Sequence, residues 1–137
     1  MHALRAATAR GVEVELFVSE TGDQPVVYHA QRSYYEELLR AGVRIFMFRP
    51  PYILHSKHFT IDDSVAVVGS SNMDQRSFNL NMEVSMVVNG KEFVRELDTV
   101  IAYYHENSRE LTLEEWERQS LPSQMLDGLA RLTSALQ

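Results

Sequence analysis

A histidine and a lysine two residues apart carry the strongest chemical signal in this sequence. His55 and Lys57 lie in a segment that is predicted to be a strand from His55 to Ile61, and alternate residues of a strand project to the same side. This pairing suits a phosphate substrate, because the imidazole can attack phosphorus or carry a proton while the ammonium group stabilises the phosphate charge. Asp62 has the opposite parity at the strand end, so we expect it to orient the pair.

Further polar groups follow this segment at short spacing. Gly69-Ser70-Ser71-Asn72 comes after an apolar run, and its backbone N–H groups, hydroxyls and amide could hold phosphate oxygens. Glu83 is the only carboxylate in an apolar segment, so it is expected to need a partner, for which a histidine ring N–H is suitable. Each feature alone is more often structural than functional, and only their order and spacing together indicate a phosphate site.

The combined pattern His55-x-Lys57-x4-Asp62-x6-Gly69-Ser70-x-Asn72 resembles the signature of the phospholipase D superfamily. Glu83 lies where that family has a conserved acid. The segments 69–77 and 80–83 resemble the second motif of bacterial cardiolipin synthases. The resemblance covers essentially the whole chain, as the C-terminal part of a longer protein.

The resemblance implies an enzyme that works without a metal or other cofactor. One histidine attacks phosphorus to form a phosphohistidine, and a second histidine from a second motif protonates the leaving group. In the cardiolipin synthase branch, two phosphatidylglycerol molecules give cardiolipin and glycerol. His55 would be one of this pair, either the nucleophile or, since the first motif of two-motif relatives usually provides the nucleophile, the general acid and base. Lys57 and Asn72 would bind phosphoryl oxygens with help from Ser70, and Glu83 would hold a catalytic imidazole.

Only one such motif is present, whereas the implied chemistry needs two histidines. His58 is expected to face away from His55, and the remaining histidines lack the flanking pieces: His2, His29 and His105. The partner would be an N-terminal catalytic half or a second copy of the chain. Two alternatives stay open: a homodimeric single-motif phosphodiesterase or nuclease, and a non-catalytic interaction half-domain. The acceptor, alcohol or water, also stays open.

The net charge, the cysteine content and the length of the apolar runs limit the classes of partner and of chemistry. The net charge of −6 argues against nucleic acid, which a basic surface would favour. The absence of cysteine excludes thiol catalysis and Cys-ligated zinc. No apolar run reaches the roughly 20 residues that span a bilayer. The resemblance therefore implies a phospholipid substrate reached at the cytoplasmic side of the cell membrane, through the longer protein.

The alternation of strand and helix patterns predicts an α/β fold, with a mixed β-sheet flanked by helices in a single domain over residues 1–137. The chain opens in a helix, so we expect the domain to lack its first strand. Thr112 begins a capping box. The predicted helices cover 1–10, 26–41, 91–107, a short segment after Thr112, and 122–136, and the predicted strands cover 12–18, 43–48, 55–61, 65–68 and 82–88.

Overall fold

The computed structural model describes residues 2–22, 25–72 and 81–119, and these form an α/β fold, which confirms the predicted class. The predicted helix at 122–136 lies outside the described residues. In chain order the elements are α1 (His2–Ala9), β1 (Glu15–Ser19), α2 (Pro25–Arg32), α3 (Tyr35–Arg40), β2 (Arg44–Phe48), β3 (Lys57–Ile61), β4 (Val65–Gly69), β5 (Ser85–Asn89), α4 (Lys91–Glu106), β6 (Ser108–Leu111) and α5 (Leu113–Glu117).

The described strands form two three-stranded sheets instead of the single mixed sheet that the sequence predicted. The first sheet has the order β1-β2-β6, with β1 parallel and β6 antiparallel to β2. The second sheet has the order β3-β4-β5 and is antiparallel throughout. The mixed character is therefore confined to the first sheet, and the motif segment belongs to the second.

The main core lies on one face of the first sheet. Ile45 and Met47 alternate along β2 and pack with Leu38 of α3 and Trp116 of α5. Tyr35 joins them, with its ring centroid 5.5 Å from that of Trp116. Burial of large apolar side chains of this kind is the main favourable term in folding.

The opposite face of the first sheet is covered by aromatic side chains of α4. Phe17 and Phe46 are paired across β1 and β2 and stack at 5.1 Å between ring centroids. The ring of His105 meets both edge-on, at 4.8 and 4.6 Å. Tyr104 lies 5.8 Å from Phe17. Both faces of this sheet are thus packed, as is typical of a sheet inside an α/β domain.

Among the residues that the structure describes, the second sheet is packed on one face only. The sequence predicted that the run Val65 to Val68 is buried on both faces, and this is wrong: Ala66 is fully buried, whereas its apolar neighbours in β4 are only half-buried. The physical reason is the antiparallel arrangement. Helix α4 contacts β4, and the three short strands leave their other face outward, as antiparallel sheets commonly do.

Three other elements differ from the sequence prediction or refine it. The predicted helix 26–41 is divided into α2 and α3 at Ser33 and Tyr34. Strand β6 was not predicted, because its sequence SREL lacks apolar alternation and its pairing with β2 is long-range. Thr112 is confirmed as the N-cap, since its hydroxyl accepts a hydrogen bond from the Glu115 backbone N–H at 3.2 Å, whereas the Glu115 carboxylate accepts from Arg109 at 2.6 Å.

Candidate active site

An open cavity of about 390 Å³ lies where β3 begins and β4 ends. Lys57 is paired with Gly69 in the β3–β4 ladder, so the histidine–lysine segment and the glycine–serine segment meet at this edge of the second sheet. The lining residues are His55, Ser56, Lys57, His58, Val68, Gly69 and Ser70. Two pieces that are 14 residues apart in sequence therefore form one concave surface.

His55 is exposed and lies just before β3, not within it. The sequence predicted a strand beginning at His55, but the strand begins at Lys57, so strand alternation does not determine which way the imidazole points. The link between the two residues is instead a hydrogen bond, in which the Lys57 ammonium group donates to the His55 carbonyl oxygen at 2.6 Å. A fixed positive charge is thereby held beside the histidine.

Two hydrogen bonds anchor the residues on either side of His55. The backbone N–H of Leu54 donates to the Ser19 hydroxyl at 2.8 Å, at the end of β1. The Ser56 hydroxyl is bonded to the Tyr104 hydroxyl of α4 at 2.7 Å. Sequence reasoning missed these positioning residues, because the bonds join residues 35 and 48 positions apart and leave no local pattern.

His58 is held between the second sheet and α4. Its ring centroid lies 5.9 Å from that of Tyr104, on the opposite side of β3 from the outward-facing Phe59. Burial lowers the pKa of His58 below its ordinary value, because desolvation disfavours the charged imidazolium. His58 is therefore neutral at pH 7, and it borders the cavity without the positive charge that Lys57 supplies.

Ser70 and Glu83 form a hydrogen-bonded pair beside the cavity. The Ser70 hydroxyl donates to a carboxylate oxygen of Glu83, and the same hydroxyl accepts from the Val84 backbone N–H at 3.1 Å. The side-chain amide of Asn81 donates to the other carboxylate oxygen of Glu83 at 3.3 Å. The sequence predicted a histidine ring as the partner of Glu83, and the structure adds a serine hydroxyl that the sequence did not indicate.

Gly69 allows these strands to approach each other at the cavity. A Cβ atom at this position would lie 2.6 Å from the Val84 carbonyl oxygen and also against the Ser85 hydroxyl. Backbone atoms cannot move aside as a flexible side chain can. A side chain at position 69 would therefore force β4 and β5 apart beside Ser70.

Asp62 and Asn72, the other two predicted site residues, do not line the cavity. Asp62 is exposed in the turn after β3, with a positive φ of 51° that aspartate tolerates better than most residues. It is separated from Lys57 by roughly 15 Å of extended chain and is not among the described residues lining the cavity. Asn72 is exposed three residues after β4, and residues 73–80 lie outside the described part.

Two properties of the described ranges bear on cofactors and membranes. Within 2–22, 25–72 and 81–119, no group of three or more His, Asp or Glu side chains is arranged to hold a metal ion. No helix in these ranges is long and apolar enough to cross a bilayer. The cofactor-free chemistry expected from the motif stays a prediction.

The family model described as the phospholipase D-like domain of cardiolipin synthase matches residues 1–104. Cardiolipin synthase A of Proteus mirabilis is 36% identical over 135 residues, which are 98% of this chain and 28% of that protein. The cardiolipin synthase of Halalkalibacterium halodurans is 35% identical over 136 residues, 99% of this chain and 27% of its own length. The chain therefore spans little more than a quarter of the relatives that it matches.

Two solved structures share the fold. Nuc of Salmonella typhimurium, a phospholipase D family member, superimposes with a TM-score of 0.66 and 21% identity, over 81% of this chain and 72% of Nuc. The phosphatidylserine synthase of Haemophilus influenzae superimposes with a TM-score of 0.71 and 16% identity, over 99% of this chain and 38% of the synthase. At these identities the likeness extends to the fold alone.

Proposed function

The chain belongs to the family of cardiolipin synthase phospholipase D-like domains, and from that premise we propose that it supplies one half of a phosphatidyltransferase active site. The observation that carries the proposal is the single cavity shared by His55, Lys57, Gly69 and Ser70. An imidazole, an ammonium group and a glycine–serine turn in one concavity are suited to a phosphodiester. The similarity to cardiolipin synthases supports phosphatidylglycerol as the lipid.

The proposed reaction has two displacements at phosphorus. An imidazole nitrogen attacks the phosphodiester of phosphatidylglycerol, a P–N bond forms, and the P–O bond to glycerol breaks. A second imidazolium gives its proton to the leaving glycerol oxygen. That imidazole then removes the proton from the hydroxyl of a second phosphatidylglycerol, whose oxygen attacks phosphorus, breaks the P–N bond and forms cardiolipin.

In this scheme His55 is the general acid and base, a role worth about 10²–10⁴-fold in rate. Lys57 stabilises the phosphoryl oxygens from its position beside His55. Ser70 and Asn72 would bind the same oxygens, and Glu83 would polarise an imidazole while orienting Ser70. We assign Asp62 a supporting role in the turn after β3.

The remaining histidine must come from a second catalytic half, either an N-terminal half or a second copy of this chain. The reaction would take place at the membrane surface, on its cytoplasmic side, where phosphatidylglycerol is available. Nucleic acid is a poor substrate candidate, because the net charge is −6. A non-catalytic role is disfavoured, since all of the motif positions are intact.

One alternative differs only in the acceptor. With water in place of the second lipid hydroxyl, the same phosphohistidine would give phosphatidic acid, and a homodimer of this chain would be a phosphodiesterase. The short length of Nuc, of which the alignment covers 72%, keeps this alternative open for a chain of this size. The product distinguishes the two.

The test uses the 137-residue chain, alone and mixed with the N-terminal half of a cardiolipin synthase, with vesicles of labelled phosphatidylglycerol. We expect labelled cardiolipin and free glycerol, and a covalent lipid–protein adduct after rapid quenching. His55→Ala should lower the rate by about 10²–10⁴-fold. His2→Ala is the matched control, because His2 is exposed in α1 and does not line the cavity.

Three outcomes are informative. Equal turnover by wild type and His55→Ala would remove His55 from the reaction. Phosphatidic acid without cardiolipin would select the hydrolytic alternative. Absence of turnover and adduct in the wild-type chain, both alone and mixed with the N-terminal half of a cardiolipin synthase, would leave the chain without the proposed activity.

A further inference from the structure

The segment that leads into His55 has an exposed apolar tip. Residues 49–53 connect the end of β2 to the segment before β3, and all five of them are exposed. Tyr52 is 70% exposed and Ile53 46%, and two prolines precede them. We define residues 49–53 as the tip loop. Adjacent large apolar side chains that are exposed on one loop are typical of an interaction surface.

The tip loop is held at both ends by hydrogen bonds to other parts of the fold. The backbone N–H of Arg49 donates to the carbonyl oxygen of Asn107, directly after α4, at 2.9 Å. At the other end, the backbone N–H of Leu54 donates to the hydroxyl of Ser19 in β1 at 2.8 Å. The apolar tip therefore projects from a fixed base and has no place in the core.

The charge of this segment is opposite in sign to that of the whole chain. Residues 49–61 contain Arg49, Lys57 and two histidines but no aspartate or glutamate, whereas the chain has a net charge of −6. Within residues 2–22, 25–72 and 81–119, no carboxylate forms an ion pair with Arg49, so its guanidinium can bind an external anion. Apolar side chains beside unneutralised cations fit an anionic lipid bilayer, and tyrosine is enriched at the membrane–water boundary.

The other end of the first sheet has the opposite character. Arg44, at the start of β2, is paired there with the carboxylates of Glu13, Glu15 and Glu110, so three negative charges surround one positive charge. Strands β1 and β2 are parallel, and the tip loop begins at the far end of β2 from this cluster. An anionic bilayer would repel the acidic end and attract the tip loop, which orients the chain at the surface.

The position of the tip loop links it to the candidate active site. His55 follows Ile53 by two residues, at most about 7 Å along the chain, and lines the cavity with Lys57. The phosphodiester of a bilayer lipid lies in the polar layer that borders the hydrocarbon core. A loop whose apolar end enters this layer would bring the imidazole to the depth of the phosphodiester.

We infer that the tip loop is the membrane contact of this chain. Tyr52 and Ile53 enter the interface of an anionic bilayer, and Arg49 binds lipid phosphates beside them. This inference rests on the proposed function, since it identifies the part of the chain through which that same site reaches its lipid.

Fluorescence of Tyr52→Trp tests the inference. The one native tryptophan, Trp116, is buried, so the difference from the wild-type spectrum reports the added indole. With vesicles of phosphatidylglycerol and phosphatidylcholine, we expect a blue shift and quenching by brominated acyl chains. Val12→Trp places an indole at a position that is 48% exposed at the acidic end of the first sheet, and it should show neither change.

Partition into sedimenting vesicles measures how much each group contributes. Replacing both Tyr52 and Ile53 by alanine should lower the partition coefficient at least about tenfold, because it removes the apolar contact. Arg49→Gln should lower it about fivefold in anionic vesicles and leave it unchanged in pure phosphatidylcholine. Arg10→Gln is the matched control, because it makes the same change in net charge at an exposed position near the acidic end and should leave the partition nearly unchanged.

The outcomes separate this inference from the proposed function. A wild-type chain that does not partition, a double alanine variant that partitions equally, or a blue shift that appears only when another polypeptide is added would each overturn the inference. Turnover of vesicle lipid that is the same in the double variant would overturn the inference and leave the proposed function standing. Partition through the tip loop without adduct or turnover, even with the N-terminal half of a cardiolipin synthase, would support the membrane contact and overturn the function.

Discussion

The two sheets of this molecule differ in how many of their faces are covered. The first sheet is packed on one side by α3 and α5 and on the other by the aromatic side chains of α4. Within the described residues, the second sheet is packed on one side, where Ala66 is fully buried, and leaves Phe59, Ile61 and Val87 exposed on the other. The candidate active site lies at the edge of the second sheet.

The two sheets therefore contribute differently, the first mainly to stability and the second to the candidate active site. The covered sheet supplies the core and therefore most of the apolar burial that holds the domain together. The half-covered sheet presents the candidate site residues at an accessible edge, where the proposed substrate and second catalytic half would reach them. Helix α4 connects the two, because Tyr104 contacts Phe17 of the first sheet and His58 beside the cavity.

The largest expected effect is a matched pair of isoleucine truncations. Ile45 is fully buried in the first sheet and Ile61 is 53% exposed on the second. We expect Ile45→Ala to lower the free energy of unfolding by about 2–5 kcal/mol and Ile61→Ala by less than about 1 kcal/mol. Urea denaturation at low protein concentration measures both, and equal losses would contradict the contrast between the sheets.

The second prediction concerns the bond between Ser56 and Tyr104. Ser56→Ala and Tyr104→Phe should each lower kcat roughly tenfold, because they loosen the segment that holds His55; tenfold is about 1.4 kcal/mol. The double variant should lose no more than either single one. Tyr103→Phe, on the same helix, is the control, and additive losses would argue against a shared role.

The third prediction tests how α5 closes the first sheet. Thr112→Ala removes the side-chain acceptor for the Glu115 N–H and should cost about 1 kcal/mol of unfolding free energy, whereas Thr112→Ser keeps the acceptor and should cost less. The kcat of the phosphotransfer should stay unchanged, because the cap lies in the first sheet's helical cover. A parallel fall in kcat would show that the two regions are coupled.

The smallest effect is expected at the buried side of the second sheet. The pKa of His58 is lowered in the folded chain, so below about pH 6.5 the unfolded chain binds a proton first and stability falls as pH falls. His58→Gln should make this dependence shallower, measured as urea midpoints at several pH values. His2→Gln, at an exposed position, should leave the pH dependence of stability unaltered. If both variants showed the same pH dependence, the burial of His58 would be contradicted.

Some of the site could be predicted because its members are close in sequence or fall on one ladder. The β3–β4 hairpin has a two-strand antiparallel pairing with a short turn, so Lys57 and Gly69 meet by local geometry alone. The composition of the segment, a histidine, a lysine and a glycine–serine pair, then indicates phosphate chemistry. The N-cap at Thr112 was predictable for the same reason, since its hydrogen bond extends over four residues.

Other features could not be predicted, because they depend on contacts between distant segments. Ser19 with Leu54 and Ser56 with Tyr104 are such pairs. The exposed side of β4 is another case. The apolar sequence Val65-Ala66-Val67-Val68 is expected of a strand that is covered on one face and equally of a strand that is covered on both. An apolar run indicates that a strand can be buried. Only the packing of neighbouring elements decides which side of the strand is buried.

The sequence by itself determined the fold class, the family resemblance and the types of group that would meet a phosphodiester, because these depend on residue identity and short-range spacing. The tertiary structure alone decided where β3 begins, which hydroxyls hold the residues around His55, and that the second sheet keeps one face open. Those properties arise from long-range packing against α4 and β1, which fixes positions that no local pattern encodes.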